Sequence, residues 1–147
     1  MGAPGCSLCE ADGGVLVYRA ARFRVVRAEE PGFPAFYRVI WNDHAAEFSD
    51  LDTGGQRLCL DAVVAVEQAL REQLMPTKVN LASLGNMVAH VHWHVIARFD
   101  WDSHFPAPVW AAAQRLSPAA QEGAVRDRLP ALEADLRTHL QAALGAA

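Results

Sequence analysis

The sequence predicts an α+β domain, with an antiparallel sheet of about five strands, a helix packed on that sheet, and a helical C-terminal tail. Short runs rich in β-branched and aromatic residues alternate with turn-forming stretches, which is the pattern of antiparallel strands. One longer segment in the middle of the chain carries apolar residues at helical spacing. With 147 residues, of which 52% are hydrophobic, the chain has the size of a single domain, residues 1–147, with its own core.

The N-terminal half is predicted to contain a loop followed by three strands. Glycine and proline punctuate the chain as far as Gly14, so this segment is interpreted as a loop. Two more strands are expected after the middle of the chain, and the second of them carries three histidines. The five predicted strands cover residues 15–19, 22–28, 36–41, 78–84 and 87–99.

A central helix is predicted over residues 55–75, with Pro76 ending it. Its buried face is expected to consist of apolar residues three or four positions apart, namely Cys59, Ala62, Val63, Val66, Leu70 and Leu74. In the tail, Ser117 followed by Pro118 is typical of a helix start. Pro130 is expected to divide the tail into two helices. Leucines at four-residue spacing are expected to pack the tail down, namely Leu132, Leu136 and Leu140.

The charge balance argues against a nucleic-acid or membrane partner. Lys+Arg 13 against Asp+Glu 17 gives a formal net charge of −4, so no broad cationic surface is predicted. The N-terminus lacks the basic and apolar segments of a signal peptide, and no run is long enough to span a bilayer. A cytoplasmic protein is therefore expected. The three cysteines are too few for a disulfide framework and favour reduced thiols or a metal pair.

Three histidines stand at alternate positions in the stretch AHVHWHVIAR, residues 89–98. On a strand, His90, His92 and His94 share one face, with neighbours about 6.6 Å apart. A solvated face that happens to be rich in histidine is one interpretation, but three in register make it a poor one. A second is that adjacent histidines ligate a catalytic metal, which requires a third ligand that is not evident nearby. The third is that one imidazole is a nucleophile, since neutral histidine needs no separate base.

The stretch NLASLGNMVAHVHWHVIAR, residues 80–98, resembles the signature of the histidine-triad (HIT) superfamily of nucleotide hydrolases and transferases. The upstream stretch FYRVIWNDHAAEFSDL is similar to the strand, histidine and short helix of that family. The resemblance covers a core of residues 1–110 and leaves 111–147 as a helical C-terminal extension. It implies the fold of the family. It also implies a homodimer that is formed partly through the helix and an edge strand.

The resemblance also implies the chemistry. His92 would attack the α-phosphorus of a nucleotide and become transiently nucleotidylated, and water would then release the nucleotide. His94 would hold the phosphate or assist protonation of the leaving group. Gly85 and Asn86 would offer a backbone N–H and an amide to the phosphate oxygens, where negative charge builds up in the transition state. The substrates implied are phosphoramidates or dinucleoside polyphosphates.

Further binding residues follow from the resemblance. Asn80 matches an asparagine near the phosphates, and Arg98 follows the motif and is expected to bear on the leaving group. An acidic residue is expected to bind the ribose hydroxyls, and either Glu29 or Glu30 would serve. Phe36 departs from the family pattern, because a Gly-His pair commonly precedes the matching strand where this chain has Ala-Phe.

Cys6 and Cys9 have the spacing of half a tetrahedral zinc site. Two free thiols or a redox pair are the alternatives. The resemblance implies that His44 and His90 close the site around a structural zinc, as in some histidine-triad proteins, and no organic cofactor is expected. A metal-free site remains open.

Three functions are therefore carried forward. The leading hypothesis is a hydrolase or nucleotidyl transferase that acts on a nucleotide α-phosphate through a covalent nucleotidyl-histidine at His92. The alternatives are a nucleotide-binding protein with little turnover that acts by interaction, and a metalloenzyme that uses the histidine row directly.

Overall fold

Five strands pair into one antiparallel sheet in a computed structural model that describes residues 2–146. The strands are β1 (Val15–Arg19), β2 (Phe23–Arg27), β3 (Phe36–Trp41), β4 (Lys78–Ala82) and β5 (His92–Arg98). The order across the sheet is β1-β2-β3-β5-β4, so that β5 lies between β3 and β4. The α+β class and the five strands are thus confirmed.

One face of the sheet is covered by the helix α2 (Thr53–Leu74). The Asp52 side chain caps its first turn by accepting a 2.6 Å hydrogen bond from the backbone N–H of Gly55. The helix ends where Met75 adopts a left-handed conformation, directly before Pro76. The predicted apolar stripe is buried against the strands, because side chains spaced by three and four residues share one face of a helix.

The C-terminal tail forms one continuous helix, α3 (Ala119–Leu144), with Pro130 inside it. The prediction that Pro130 divides the tail was wrong. Buried apolar side chains lie on both sides of the proline along one helix face, namely Val125, Leu129, Leu132, Leu136 and Leu140. Burial of each stabilises the fold by roughly 1.5–3 kcal/mol, and the five together outweigh the roughly 3 kcal/mol that an internal proline costs. The helix also docks through Glu133, whose carboxylate accepts hydrogen bonds from Arg27 and Tyr37.

The N-terminal segment lies against the opposite face of the sheet and contains a short helix, α1 (Ser7–Glu10), where only a loop was predicted. A second difference concerns the strand expected over 87–99, since β5 begins only at His92. The residues before His92 bend out of the regular strand. The Val91 carbonyl accepts a hydrogen bond from the Trp41 N–H, and the Val91 N–H donates to the Ala45 carbonyl. A short 3₁₀ turn, Phe48–Asp50, precedes α2. Among residues 2–146, no helix combines the length and apolar character needed to cross a bilayer.

Candidate functional site

A cavity of about 650 Å³ opens on the sheet face opposite α2, and two of the three histidines line it. His92 and His94 are two positions apart on β5, so both side chains project from the same face. Their rings meet edge to face with centroids 5.0 Å apart. This space is called the histidine cavity below. Its walls also include Ser7, Leu8, Ala11, Gly13, Arg38, Leu84, Gly85, Asn86, Met87, Val88 and Trp110.

His92 is held in one tautomer by the backbone. Its Nδ1 lies 2.6 Å from the carbonyl oxygen of His90, and a carbonyl can only accept, so Nδ1 must carry the proton. In the neutral ring Nε2 then holds the free lone pair. The hydroxyl of Ser83 donates to the His92 carbonyl at 3.0 Å and fixes the start of the strand. His92 is therefore an oriented imidazole with an available nucleophilic nitrogen.

His94 lies deeper than His92 and is surrounded by rings. The ring centroids of Phe36 and Trp110 lie 5.5 Å and 5.2 Å from the centroid of the His94 ring, and both contacts are roughly edge to face. Burial lowers the pKa of His94 to about 4, with a smaller contribution from the neighbouring His92 and Arg38. His94 is therefore uncharged at neutral pH. Its Nδ1 is buried and has no hydrogen-bond partner among residues 2–146, as expected of a polar atom whose partner arrives with a ligand.

The turn between β4 and β5 brings Gly85 and Asn86 to the lining of the histidine cavity. Gly85 has a φ of +77°, a left-handed conformation that favours glycine. Asn86 is exposed, so its amide is available to a ligand. The turn and the two histidines thus form one continuous surface of hydrogen-bonding groups.

Arg98 and Asn80 lie together but outside that lining. Arg98 is 1% exposed, and its guanidinium makes a two-pronged ion pair with Asp102 at 2.8 and 3.1 Å. A third contact, 2.8 Å to Asn80 Oδ1, turns the amide of that side chain so that its NH₂ points away from Arg98. Burial acts to raise the pKa of Asp102, but hydrogen bonds from Arg98 and from backbone N–H groups lower it further. The carboxylate is thus charged and fully engaged.

Asp102 was missed by sequence reasoning, and it organises the segment that follows β5. Its carboxylate accepts hydrogen bonds from the backbone N–H groups of Phe99, His104 and Phe105. Arg98 adds a 2.7 Å bond to the Ala107 carbonyl. This segment ends at Trp110, which is 53% exposed and closes one side of the histidine cavity.

The acidic residues expected at the ribose lie elsewhere. Glu29 and Glu30 line a separate hollow with Arg27 and Arg126, and the structure does not bring them to the lining of the histidine cavity. No carboxylate is found among the described residues that line that cavity.

A second cluster lies beside the histidine cavity and has the donors of a metal site. Cys6, Cys9, His44 and His90 place one ligand atom each within 4.8 Å of one another. The Nδ1 of His90 is 3.4 Å from both sulfurs, and the Nδ1 of His44 is 3.5 Å from Cys9. Ligands around a tetrahedral zinc ion lie about 3.4–3.8 Å apart. These four residues are therefore positioned to bind a metal.

The hydrogen bonding of His90 also fits a metal ligand. Its Nε2 lies 2.6 Å from the carbonyl oxygen of Trp41, so Nε2 carries the proton and Nδ1 directs its lone pair at the two sulfurs. The His90 ring is thus engaged by the Trp41 carbonyl and the two sulfurs, and it is not among the described residues that line the histidine cavity. The third cysteine, Cys59, is buried on α2, and burial raises its pKa to about 12, so it remains a protonated thiol.

Arg24, another residue that sequence reasoning did not single out, attaches the N-terminal segment to the sheet. It is buried on β2, and its guanidinium donates to the carbonyls of Leu8, Ala11 and Asp12 at 2.6 to 3.2 Å. Burial lowers the pKa of Arg24, but a guanidinium stays charged in proteins. Because α1 forms a wall of the histidine cavity, Arg24 and the cluster of two cysteines and two histidines together shape the site.

The comparisons with known proteins agree with this geometry. A family model described as HIT domain matches residues 12–101. A histidine triad protein from Bradyrhizobium japonicum is 27% identical and superposes with a TM-score of 0.70, over 85% of this chain and 92% of that one. A histidine triad protein from Marinobacter aquaeolei VT8 is 24% identical, with a TM-score of 0.69 over 89% and 98% of the two chains.

A more distant structure has the same fold. It is described as a Zn-bound histidine triad family protein from Mycobacterium smegmatis, is 19% identical, and gives a TM-score of 0.54 over 91% of this chain and 99% of that one. A search against curated proteins gave no significant match.

Proposed function

The chain belongs to the HIT family, and from that premise we propose that it hydrolyses or transfers a nucleotide at its α-phosphate through a covalent bond to His92. The observation that carries the proposal is the hydrogen bond between His92 Nδ1 and the His90 carbonyl. It leaves Nε2 unprotonated in a cavity whose rim offers the Gly85 and Asn86 donors. The substrates proposed are nucleoside phosphoramidates and dinucleoside polyphosphates.

In the first step, Nε2 of His92 attacks the α-phosphorus. A nitrogen–phosphorus bond forms, the bond from phosphorus to the leaving group breaks, and the leaving group takes up a proton from water. The imidazole becomes cationic, and the His90 carbonyl stabilises that charge through the Nδ1 hydrogen bond. Donors at Gly85 and Asn86 stabilise the charge that develops on the phosphoryl oxygens. His94, uncharged at neutral pH, holds the phosphate through a hydrogen bond or assists protonation by relaying a proton from water to the leaving group.

In the second step, water attacks the same phosphorus and breaks the nitrogen–phosphorus bond. The products are the nucleoside monophosphate and regenerated His92. If another hydroxyl compound takes the place of water, the same intermediate supports nucleotidyl transfer.

The activity is tested by incubating the chain with adenosine and guanosine phosphoramidate and with the matching dinucleoside polyphosphates, and by measuring the nucleoside monophosphate released. Release well above the uncatalysed rate is expected. If calorimetry detects nucleotide binding and no monophosphate appears, the alternative of a binding protein that acts by interaction replaces the enzyme.

The metalloenzyme alternative finds less support than the nucleophile. The metal-ligand cluster found among residues 2–146 includes His90 but neither His92 nor His94. Nδ1 of His92 contacts the His90 carbonyl, and the ring of His94 packs edge to face against the ring of His92. A metal that used the whole histidine row would require His90 to leave the cysteines.

We also propose that Cys6, Cys9, His44 and His90 bind a structural zinc ion. Two thiolates and two imidazoles in tetrahedral arrangement are the donor set that zinc prefers. The Zn-bound relative from Mycobacterium smegmatis supports this choice. The ion would supply a cross-link between α1 and the end of the sheet, where all four positions are filled by protein and none is left for substrate.

The zinc proposal predicts that Cys6→Ser empties the site. We expect protein purified without chelator to contain about one zinc per chain, and the Cys6→Ser variant to contain far less and to melt at a lower temperature. Elemental analysis and thermal denaturation measure both. Cys59→Ala is the matched control, because Cys59 is remote from the cluster, and it should keep its zinc. Native protein without zinc would refute the proposal.

A homodimer is proposed as well, formed partly through α2 and β4. β4 is an edge strand, with unpaired backbone groups that can pair with a second copy. Leu81 on β4 and Leu60 and Val64 on α2 are exposed apolar side chains. Light scattering after size exclusion should give twice the chain mass, and Val64→Glu should shift it toward the monomer while Leu116→Glu, at an exposed loop position, should not. A native chain that is monomeric at micromolar concentration contradicts the proposal.

A further inference from the structure

The side chain of Arg38, on strand β3, lines the histidine cavity. It lies on β3 directly opposite His94 on β5, and side chains opposite each other on paired strands share one face. The guanidinium is partly buried and lines the same space as the two histidines. It is the one charged side chain in the described lining of that cavity.

Most of the hydrogen-bonding capacity of Arg38 is unused. Nη1 donates to the carbonyl of Gly13 at 3.0 Å, whereas Nε is buried and has no partner among residues 2–146. No ion pair joins Arg38 to a carboxylate within the described chain. Burial lowers the pKa of Arg38, and the field of Glu30 acts in the opposite direction without direct contact. The group nevertheless stays a cation.

Besides lying 5.5 Å from the centroid of the Phe36 ring, the guanidinium of Arg38 makes one hydrogen bond to the described residues, and the carbonyl that accepts it is structurally fixed. Gly13 has a φ of +87°, and an added Cβ would lie only 2.7 Å from Leu8 and 2.9 Å from Ile40. The chain therefore passes close to the sheet at this point, and its carbonyl orients one arm of the guanidinium. The other nitrogen atoms remain for a ligand.

A partly buried guanidinium with unused donors favours an anionic ligand. Desolvating a charge without a partner is costly, and phosphate groups match the guanidinium fork. The lining contains no carboxylate that would compete for it. A nucleotide in this cavity would meet a cation on the β3 side of His94.

The position of Arg38 separates it from the donors at the α-phosphate. β3 and β4 pair with opposite edges of β5. The Gly85–Asn86 turn follows β4, whereas Arg38 comes from β3. An α-phosphate held between His92 and the turn is served by the turn, so Arg38 is available to a different group.

We propose that Arg38 is the binding residue for a second phosphate group of a nucleotide whose α-phosphate lies at His92. This inference rests on the proposed function for the placement of the α-phosphate. The second phosphate can belong to the ribose or to the 5′ chain, and both present the same chemistry to the guanidinium. The site thus binds nucleotides that carry a second phosphate more tightly than nucleotides that carry only one.

The test is calorimetric titration of the His92→Asn variant, which cannot turn over, with and without Arg38→Met. The ligands are the 5′-monophosphates of adenosine and guanosine, their 5′-diphosphates, and their 2′,5′- and 3′,5′-bisphosphates. At least one ligand with two phosphates should bind about tenfold more tightly than the monophosphate. Arg38→Met should abolish that gain and leave monophosphate affinity within about threefold. The ligand that shows the gain identifies where the second phosphate lies.

Arg38→Lys and Arg57→Met complete the design. Lysine keeps the charge without the fork and should retain part of the gain, which shows that a loss in Arg38→Met is electrostatic and does not come from misfolding. Arg57 is exposed on α2, and its replacement should change nothing. Equal affinity for one and two phosphates, or a gain that persists in Arg38→Met, overturns the inference.

The outcome is distinguishable from failure of the proposed function. A phosphate-dependent gain at Arg38 in a chain that shows no turnover upholds the inference and refutes catalysis. Turnover without that gain does the opposite. No binding of any of these nucleotides to the native chain or the variant refutes both.

Discussion

Replacing His92 by asparagine is expected to lower turnover by at least about 10⁴-fold, since loss of a covalent nucleophile has effects of this order or larger. The folded chain should still bind nucleotide, because the donors at Gly85 and Asn86 and the walls of the cavity are unchanged. The metal should also remain, since His92 is not among its ligands. Steady-state kinetics, calorimetry and elemental analysis on one preparation measure the three quantities.

His139→Asn is the matched control, because His139 is an exposed histidine on α3 and does not line the cavity. It should retain the activity of the native chain. Native-like turnover in His92→Asn would remove the nucleophile from the account. Loss of the metal together with His92 would favour the metalloenzyme alternative instead.

Replacing Asp102 by alanine is expected to destabilise the fold by roughly 3–5 kcal/mol, because it leaves the buried Arg98 without its counter-ion. The two side chains are only 1% and 2% exposed, so solvent cannot take over the role of the carboxylate. Three backbone N–H groups lose their acceptor as well. Chemical denaturation should show the loss of free energy of unfolding, and the melting temperature should fall by about 10 °C or more.

Asp100→Ala supplies the comparison, since Asp100 is an exposed carboxylate two residues away. Its effect should stay within about 0.5 kcal/mol. If Asp102→Ala does not fold well enough to be measured, Asp102→Asn keeps the volume and part of the hydrogen bonding and should give a smaller loss. A stability equal to that of the native chain in either Asp102 variant would show that the ion pair has no net role.

The strands and the central helix could be predicted from the sequence because local pattern and tertiary packing agree in them. β1 and β3 coincide with the predicted runs of β-branched and aromatic residues, and the stripe on α2 is buried as its spacing requires. The tail differs, since Pro130 disfavours a helix locally while the leucines around it favour one. Burial of these leucines stabilises one continuous helix despite Pro130, and the sequence does not show which surface of the fold they pack against.

The histidine row illustrates a similar limit at the site. Alternation correctly groups His92 and His94 on one face, but it also extends the strand to His90. In the structure the chain bends before His92, and the His90 ring is fixed between the Trp41 carbonyl and the two sulfurs. Only the family resemblance assigned His90 a role different from that of the other two histidines. The cysteines that His90 contacts lie near the N-terminus, far from it in the sequence.

Arg24 and Arg38 could have been noticed as cations that stand between apolar neighbours on their strands. Burying a charged side chain without a partner costs free energy, so each of these two arginines is expected to have a partner. The partners are backbone carbonyls of the N-terminal segment for Arg24 and, for Arg38, the Gly13 carbonyl together with the ligand phosphate inferred above. Neither partner is visible in a local pattern, since the contacts join distant parts of the chain.

The central claim is that His92 forms a covalent bond to the nucleotide, and intact mass spectrometry tests it most directly. The native chain is mixed with a nucleoside phosphoramidate or a dinucleoside polyphosphate, and the reaction is stopped within the first turnover under alkaline conditions that preserve a nitrogen–phosphorus bond. A mass increase of one nucleotidyl group, located on His92 by fragmentation and missing from His92→Asn, is the predicted result. Rapid monophosphate release with no adduct at any time, or an adduct on another residue, would contradict the account.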